Sequence, residues 1–419
     1  MTRGFSQSAT ALVLGGVFAT VLTIPTNARA EELRIGFIAP MTGIFAQVGK
    51  DMVNGFQMYL DEHGGKLGGM EVKFIVEDDQ AKPDLGVTKA KKLVLQDKVQ
   101  MFIGGVLAST GYALAPVSSE LKTIYIASIP AADDLTQRQA DKYPLFFRTG
   151  WSSSQPHHPL GQWACDQGYK KIVTIGADYA FGYEAVGGFQ KAFEDCGGKI
   201  IQKIWPALGT KDFGPYIPTI KADADAVFTL MVGPMSLQFP KQLRAAGYKK
   251  PIVGGGTSYD EFALPFMGDE VIGDVSALQY SAALETPKNE AFVKAYRAKY
   301  AKVPSYFSES NYTTAQLIDD VIKKAGGKWP GSEKFIDMAS AEKIDAVRGP
   351  VSFEDRNPVQ NIYIKKVEKK KLFGYDKAEL WNTVIKTYPA VSQYWTYGKE
   401  KFLAQPVYSR DFPPCKFCE

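Results

Sequence analysis

Histidine is nearly absent from this chain, with three among 419 residues, and only four cysteines accompany them. That leaves little material for a transition-metal centre, which draws most of its ligands from those two residue types. An excess of one charge is lacking too. Lys and Arg number 49 against 45 Asp and Glu, and a nucleic-acid-binding surface asks for a basic bias that this balance does not supply. Catalytic spacings are missing as well: no Gly-x-x-x-x-Gly-Lys-Ser/Thr loop, no Gly-x-Ser-x-Gly elbow and no His-Glu-x-x-His helix occurs. Gly64-Gly65-Lys66 and Gly197-Gly198-Lys199 lack both the hydroxyl and the spacing of a phosphate loop. Beyond residue 30 no apolar run approaches the ~20 residues of a membrane span. What is present, 45% hydrophobic and 22% charged residues, describes a soluble globular protein of two or three domains.

The N-terminal stretch stands apart. Arg3 precedes an apolar run from Ala9 to Pro25, and Ala28-Arg29-Ala30 has the small-x-small form of a signal-peptidase site. Residues 1–30 are therefore expected to be a cleaved export signal, the run being short for an anchor. Export opens an oxidising compartment to Cys165, Cys196, Cys415 and Cys418, which allow three pairings. The expected pairs are Cys165–Cys196, from two helical stretches flanking one strand, and Cys415–Cys418 in the tail. Cys-Lys-Phe-Cys has redox-motif spacing, but it follows Pro413-Pro414 rather than a strand. A structural staple or unpaired thiols suit it better.

From Leu33 onward short apolar runs alternate with helical periodicity. LRIGFIAP reads as a buried strand, and Gln47 to Glu62 places Val48, Met52, Phe56, Tyr59 and Leu60 on one helical face. MEVKFIVED, a helix over 83–98, KVQMFIGGV, a helix over Tyr112–Leu121 and TIYIASI continue the series. It restarts after FFRTGW and Ser152-Ser153-Ser154, with strands in KKIVTIGADY, KIIQKIWP, ADAVFTLMV and PIVGGGT. Helices are expected over Tyr183–Cys196, around Pro215–Ala222 and over Ser236–Gly247. GPVSFE and VQNIYIKKVE read as a late hairpin. Repeated βαβ units mean parallel sheets covered by helices, and two series of similar length predict two similar Rossmann-like lobes. Ligands then gather beyond the carboxyl ends of the strands, in the cleft between the lobes.

Three local features could carry chemistry. His157-His158, adjacent and flanked by Pro156 and Pro159, cannot present both rings on one helical face and reads as a solvated loop. Asp78-Asp79 at a strand end reads as structural capping. Gly104-Gly105-Val106-Leu107-Ala108-Ser109-Thr110-Gly111 follows an apolar strand and opens a helix, so free N–H groups and a hydroxyl could seat an anion. An ordinary Ser N-cap fits the same residues, and the local sequence leaves both readings open.

Several ordered blocks, IGFIAPMTGIFAQVG, GGKLGGMEVKFIVEDDQ, FRTGWSSSQP, ADYAFGYEAVGGF and RGPVSFEDRNPVQNIYI, resemble periplasmic binding proteins of the branched-chain amino acid (leucine-binding) type, the receptors of ATP-driven importers. The resemblance runs from about residue 33 to 368. It implies the type I periplasmic binding fold, two α/β lobes joined by three crossovers near Thr149, Ser281 and Gly349. One lobe is then expected to hold 31–148 and 282–348, the other 149–281 and 349–419. It also implies a protein that binds without catalysis or cofactor, works as a periplasmic monomer and hands a small molecule to an inner-membrane permease.

Carried residue by residue, the resemblance puts the ligand carboxylate on Ser109 and the following amides of Thr110 and Gly111. The three groups that hold a ligand ammonium in amino-acid-binding members align with Ala131, Gly233 and Gly256, none of which can do so. A slip of one or two residues would bring in Thr257, Tyr259 or Glu261. Phe45, Trp151, Tyr179 and Phe181 fall near cleft positions, where rings stack on flat apolar ligands. The expected ligand is an aromatic or otherwise apolar carboxylate, with a branched-chain amino acid or amide as the alternative. A secreted α/β enzyme fits less well, for want of a nucleophile–His set.

Overall fold

The computed structural model describes residues 1–8 and 32–418; the apolar run and cleavage triplet of the expected export signal lie outside them. The first series runs β1 (Leu33–Ala39), α1 (Ala46–Glu62), β2 (Lys66–Leu67), β3 (Met70–Asp78), α2 (Pro83–Leu95), β4 (Met101–Gly104), α3 (Ala108–Glu120), β5 (Ile124–Ala127) and β6 (Phe146–Arg148). The second runs α4 (His157–Asp166), β7 (Lys171–Gly176), α5 (Ala180–Asp195), β8 (Lys199–Ile204), β9 (Ala226–Leu230), α6 (Met235–Ala245), β10 (Ile252–Gly255) and β11 (Val275–Leu278). The remainder comprises α7 (Pro287–Tyr300), α8 (Tyr306–Lys324), α9 (Ser332–Ser340), β12 (Ile344–Ala346), β13 (Gly349–Glu354), β14 (Asn357–Lys370), β15 (Glu379–Val391) and α10 (Lys399–Leu403).

Two sheets result. The first has the order β2-β3-β1-β4-β5-β6 and is parallel except for the β2–β3 pair. The second has the order β12-β13-β14-β11-β10-β9-β7-β8, parallel from β11 to β8 and antiparallel from β11 outward. Central strands such as β4 and β9 are buried along their whole length, as sheets covered on both faces require. Phe56 of α1 stacks on Phe74 of β3 with centroids 4.8 Å apart, and Phe189 of α5 stacks on Phe228 of β9 at 4.4 Å. Each such burial contributes roughly 1.5–3 kcal/mol. Helix α8 returns to the first lobe and lies along α1. A Cβ at Gly55 would come within 2.0 Å of the Ser308 carbonyl, so this crossing needs glycine.

The crossovers form a buried polar seam. Arg148 donates to Thr136 Oγ1 (2.8 Å) and Asn357 Oδ1 (2.7 Å). Arg348 donates to Glu309 Oε2 (2.9 Å) and the Thr149 carbonyl (2.5 Å). Gln360 donates to the Gly150 carbonyl (2.8 Å), and Ser281 Oγ to the Asn382 carbonyl (2.5 Å). Side chains thereby satisfy backbone groups that leave a sheet without a ladder partner. The chain re-enters the second sheet at β12, ahead of Gly349.

Several local expectations need correction. Helix α3 begins at Ala108 with Leu107 as its N-cap, not at Tyr112, so Ser109 sits inside the first turn rather than capping it. The stretch 215–222 forms only a short 3₁₀ turn, Ile217–Thr219, because Pro218 and the preceding Gly214-Pro215 interrupt a longer helix. His157 and His158 are fully buried at the start of α4, not in a solvated loop. Pro156 and Pro159 occupy positions around the first turn where no N–H is needed, so they start the helix instead of breaking it.

The tail adds a strand to the second sheet and then runs on to the first lobe. Strand β15 pairs antiparallel with β14 from Lys370↔Glu379 to Gln360↔Val391. Pro389 falls in the register irregularity next to Tyr388, where a ladder donor is dispensable. Beyond it, Tyr408 packs on Gly187 of α5 and places its hydroxyl 3.0 Å from His158 Nε2. Arg138, on the first-lobe segment after β5, donates to the Phe402 carbonyl at 3.2 Å. The tail thus touches both lobes. Cys165 is joined to Cys196 across the C-terminal ends of α4 and α5, and Cys415 to Cys418.

Candidate functional site

A narrow cleft, with a cavity of about 30 Å3, lies beyond the carboxyl ends of the strands, between the lobes. The first lobe supplies the residues that follow three of its strands: Phe45 and Val48 after β1, Val106–Leu107–Ala108 after β4, and Ile129 and Ala131 after β5. The second supplies Tyr179 and Phe181 after β7, Val232 and Gly233 after β9, and Thr257 and Phe262 after β10. Trp151 enters from the first crossover, and Tyr306-Phe307 from the start of α8. Among the described residues no Asp, Glu, Lys, Arg or His lines it.

The rings hold one another in place. Trp151 meets Phe181 edge-on at 5.3 Å and Tyr306 at 6.2 Å, while Tyr179 meets Phe181 at 6.0 Å. The Trp151 indole N–H is buried without a protein partner. His157 stands one layer behind, edge-on to Phe181 and Phe228, with Nδ1 2.5 Å from the Ser153 carbonyl. Burial pushes its pKa down to about 4, so the ring stays neutral. Phe45 crosses the cleft and rests on the backbone of Gly233. A Cβ there would lie 2.7 Å from the ring, and φ is +53°, so two constraints favour glycine at this position.

The sequence-derived site residues separate into two groups. Phe45, Ala131, Tyr179, Phe181 and Thr257 come together around the cavity with Trp151 and Gly233. Ser109, Thr110 and Gly111 do not line it. Thr110 is fully buried and its methyl group faces Gly86 and Gly105, whereas Gly111 packs against Pro130. The earlier start of α3 puts Leu107 and Ala108 on the wall instead. The first hydrogen bond of the helix runs from Gly111 N to Leu107 O (3.1 Å), so the N–H groups of Ala108, Ser109 and Thr110 have no carbonyl within the helix.

The residues a slipped alignment could recruit have separate placements. Thr257 donates to the Met231 carbonyl (3.1 Å), and Tyr259 is fully buried on Asp274 (3.0 Å). Glu261 accepts from Ala282 N (3.1 Å) at the second crossover. Gly256 packs against Leu278, away from the cavity lining. Sequence reasoning missed Leu107 and Ala108, through the misplaced helix start, and Tyr306-Phe307. The signal for that pair was available, since Ser305 and Ser308 form a capping box that opens α8 beside them. Among the described residues no cluster of His, Cys, Asp and Glu is placed to hold a metal ion.

A cavity between two α/β lobes, bounded by strand ends and helix N-termini, is the arrangement of a hinged solute receptor. The model of the periplasmic binding protein family matches residues 32–371, and the chain belongs to that family. It is 29% identical over 371 residues to Leu/Ile/Val-binding protein homolog 6 of Brucella melitensis, covering 86% of this chain and 93% of that protein. Among solved structures it resembles the solute-binding protein of an ABC transporter from Rhodopseudomonas palustris BisB5, in complex with 3,4-dihydroxybenzoic acid. That match has a TM-score of 0.80 and 32% identity over 86% of this chain and 98% of the other. An R. palustris solute-binding protein in complex with 4-hydroxybenzoate matches with a TM-score of 0.79 and 30% identity over 87% and 99%. The protein is thus an ABC-transporter substrate-binding protein of the periplasm, and not an enzyme.

Proposed function

We propose that this protein captures an aromatic or otherwise apolar carboxylate between its lobes and delivers it to an inner-membrane permease. The observation that carries the reading is the cavity lining, rich in rings and free of acidic side chains. An α-amino acid would bring a buried ammonium without a counter-charge, at a cost of several kcal/mol, roughly 3–5 by analogy with a broken buried pair. A carboxylate needs only a positive end. The first turn of α3 offers one, with unbonded N–H groups at Ala108, Ser109 and Thr110 and the helix dipole behind them. The apolar part of the ligand then lies among Phe45, Trp151, Tyr179, Phe181 and Tyr306. The R. palustris structures that hold hydroxybenzoic acids support this reading.

A branched-chain amino acid is the second reading, favoured by the name of the Brucella relative. In both readings residues 1–30 act as the export signal and the mature protein works as a monomer. A thermal-shift screen with benzoic acids, aliphatic acids and amino acids separates the two. A true ligand at 100 times its Kd adds about 2.7 kcal/mol of stability. Melting temperature is expected to rise with benzoic acids and stay unchanged with leucine, isoleucine and valine; the reverse pattern would establish the second reading.

A further inference from the structure

One buried carboxyl pair lies across the two lobes and outside the ligand cavity. Glu184, on α5 of the second lobe, is 2% exposed, and both its oxygens are taken by the first lobe. Tyr112 of α3 donates its hydroxyl to Oε1 at 2.7 Å, and the N–H of Asp133, just after β5, donates to Oε2 at 3.2 Å. The clasp is reciprocal. The Asp133 carboxylate reaches back to accept the N–H of Ser154, in the segment leading into α4, at 3.0 Å, while its other oxygen is buried without a partner.

The charge around this clasp does not balance. Facing it are Tyr112 on α3, Asp134 beside Asp133, Arg148 at the end of β6, Tyr179 at the start of α5 and Tyr408 of the tail. Asp134 is held by Arg138 (3.2 Å), so among the described residues Arg148 is the one buried cation left for two carboxylates. Its guanidinium donates to Thr136, Asn357 and the Ala132 carbonyl and to neither acid. One proton would make the set neutral.

We propose that Glu184 is a positioning residue that couples lobe closure to proton uptake: the Asp133–Glu184 pair takes up one proton as Tyr112 and Asp133 close on it. The inference rests on capture of a small molecule between the lobes and not on which molecule is captured. Burial, with the Asp133 carboxylate beside it, pushes Glu184 up to about 8, and burial, with Asp134 next to it, pushes Asp133 up to about 6. The sign follows. With the lobes apart, water returns to both acids and they ionise in the ordinary carboxylate range. From about pH 5 to pH 8 the closed form therefore holds a proton that the open form has released, and affinity falls as pH rises through that window.

Calorimetric titration with benzoate, and with leucine as a second probe, at pH 6, 7 and 8 in phosphate and in Tris tests this, since the two buffers differ in ionisation heat. The wild type is expected to take up close to one proton per bound probe at pH 7, with affinity dropping three- to tenfold per pH unit. Glu184→Gln, which keeps a carbonyl for Tyr112, should take up none, show a flat pH profile and bind within about threefold of the wild-type affinity at pH 6. Asp133→Asn should likewise flatten the profile. A pH-independent wild-type affinity, or a slope that persists in both variants, overturns the proposal. If neither probe binds, the ligand reading fails and the unliganded proteins decide. Small-angle scattering should then show the unliganded wild type more compact at pH 5 than at pH 8 and Glu184→Gln equally compact at both, and a wild-type radius that does not change with pH overturns the coupling.

Discussion

Two buried regions of this molecule lie side by side and are built in opposite ways. The ligand cavity is lined by rings, aliphatic groups and Thr257, and among the described residues no Asp, Glu, Lys, Arg or His reaches it. The seam of crossovers behind it carries Arg148, Arg348 and Glu309, all buried and bonded to backbone and side chains that connect the sheets. The difference separates two tasks. Charges inside a protein need fixed partners, so they suit contacts that persist between neighbouring strands and helices. A compartment that must empty and refill cannot leave an unpaired charge behind each time, and a helix end with free N–H groups offers positive potential without one.

Breaking the seam should cost the most. Arg348→Met leaves Glu309 buried with no cation, and removal of one partner of such a pair destabilises by about 3–5 kcal/mol. Chemical denaturation should show that loss, whereas a change below about 1 kcal/mol would mean the seam is not held by this pair. Placing a charge in the cavity is the converse. Ala108→Asp suits the first turn of α3 for the helix itself, so the fold is expected to survive. Its carboxylate would oppose that of a ligand and weaken benzoate binding by about 3 kcal/mol, a little less than the 4 kcal/mol expected at 4 Å in a partly screened site. Calorimetry with unchanged affinity would move the anion seat elsewhere.

Smaller effects test the fit of the walls. Gly233→Ala meets the Phe45 ring and sits at a positive φ, a backbone penalty of about 1–2 kcal/mol. Binding should weaken about tenfold, and adding Phe45→Ala should recover the part due to collision. The smallest change concerns Ser109. Its side chain is off the cavity wall, so Ser109→Ala should alter affinity by less than about 0.5 kcal/mol. A larger loss would return the hydroxyl to the site.

Much of the architecture was legible in the amino-acid order because parallel strands buried on both faces are near-continuous apolar runs. IGFIAP, MFIG and AVFTL each became a strand where periodicity placed one. The failures share a cause: short-range rules decided by contacts far away in sequence. Prolines beside His157 and His158 read as loop, but the α4 start they make is buried under Tyr408 and Phe402 of the tail. Strand β15 was missed because its reason for being extended is β14. In the site, aromatic positions after strands were readable, since strand ends define the cleft. The α3 start was not, because Leu107 caps that helix by backbone geometry alone, with no side-chain hydrogen bond to mark it. Glu184 carried no signal at all, as an acid on a helix gives no hint that the opposite lobe will bury it.

The central claim is that the cavity holds a carboxylate by one helix end and the rest of its ligand by apolar walls. A crystal structure of the complex with benzoate or 4-hydroxybenzoate tests it most directly. The account predicts carboxylate oxygens at the N-terminal end of α3, within hydrogen-bond distance of the Ala108 N–H, with the ring among Trp151, Tyr179 and Phe181. A carboxylate bound elsewhere, or a leucine complex with its ammonium on an acidic side chain, would contradict it.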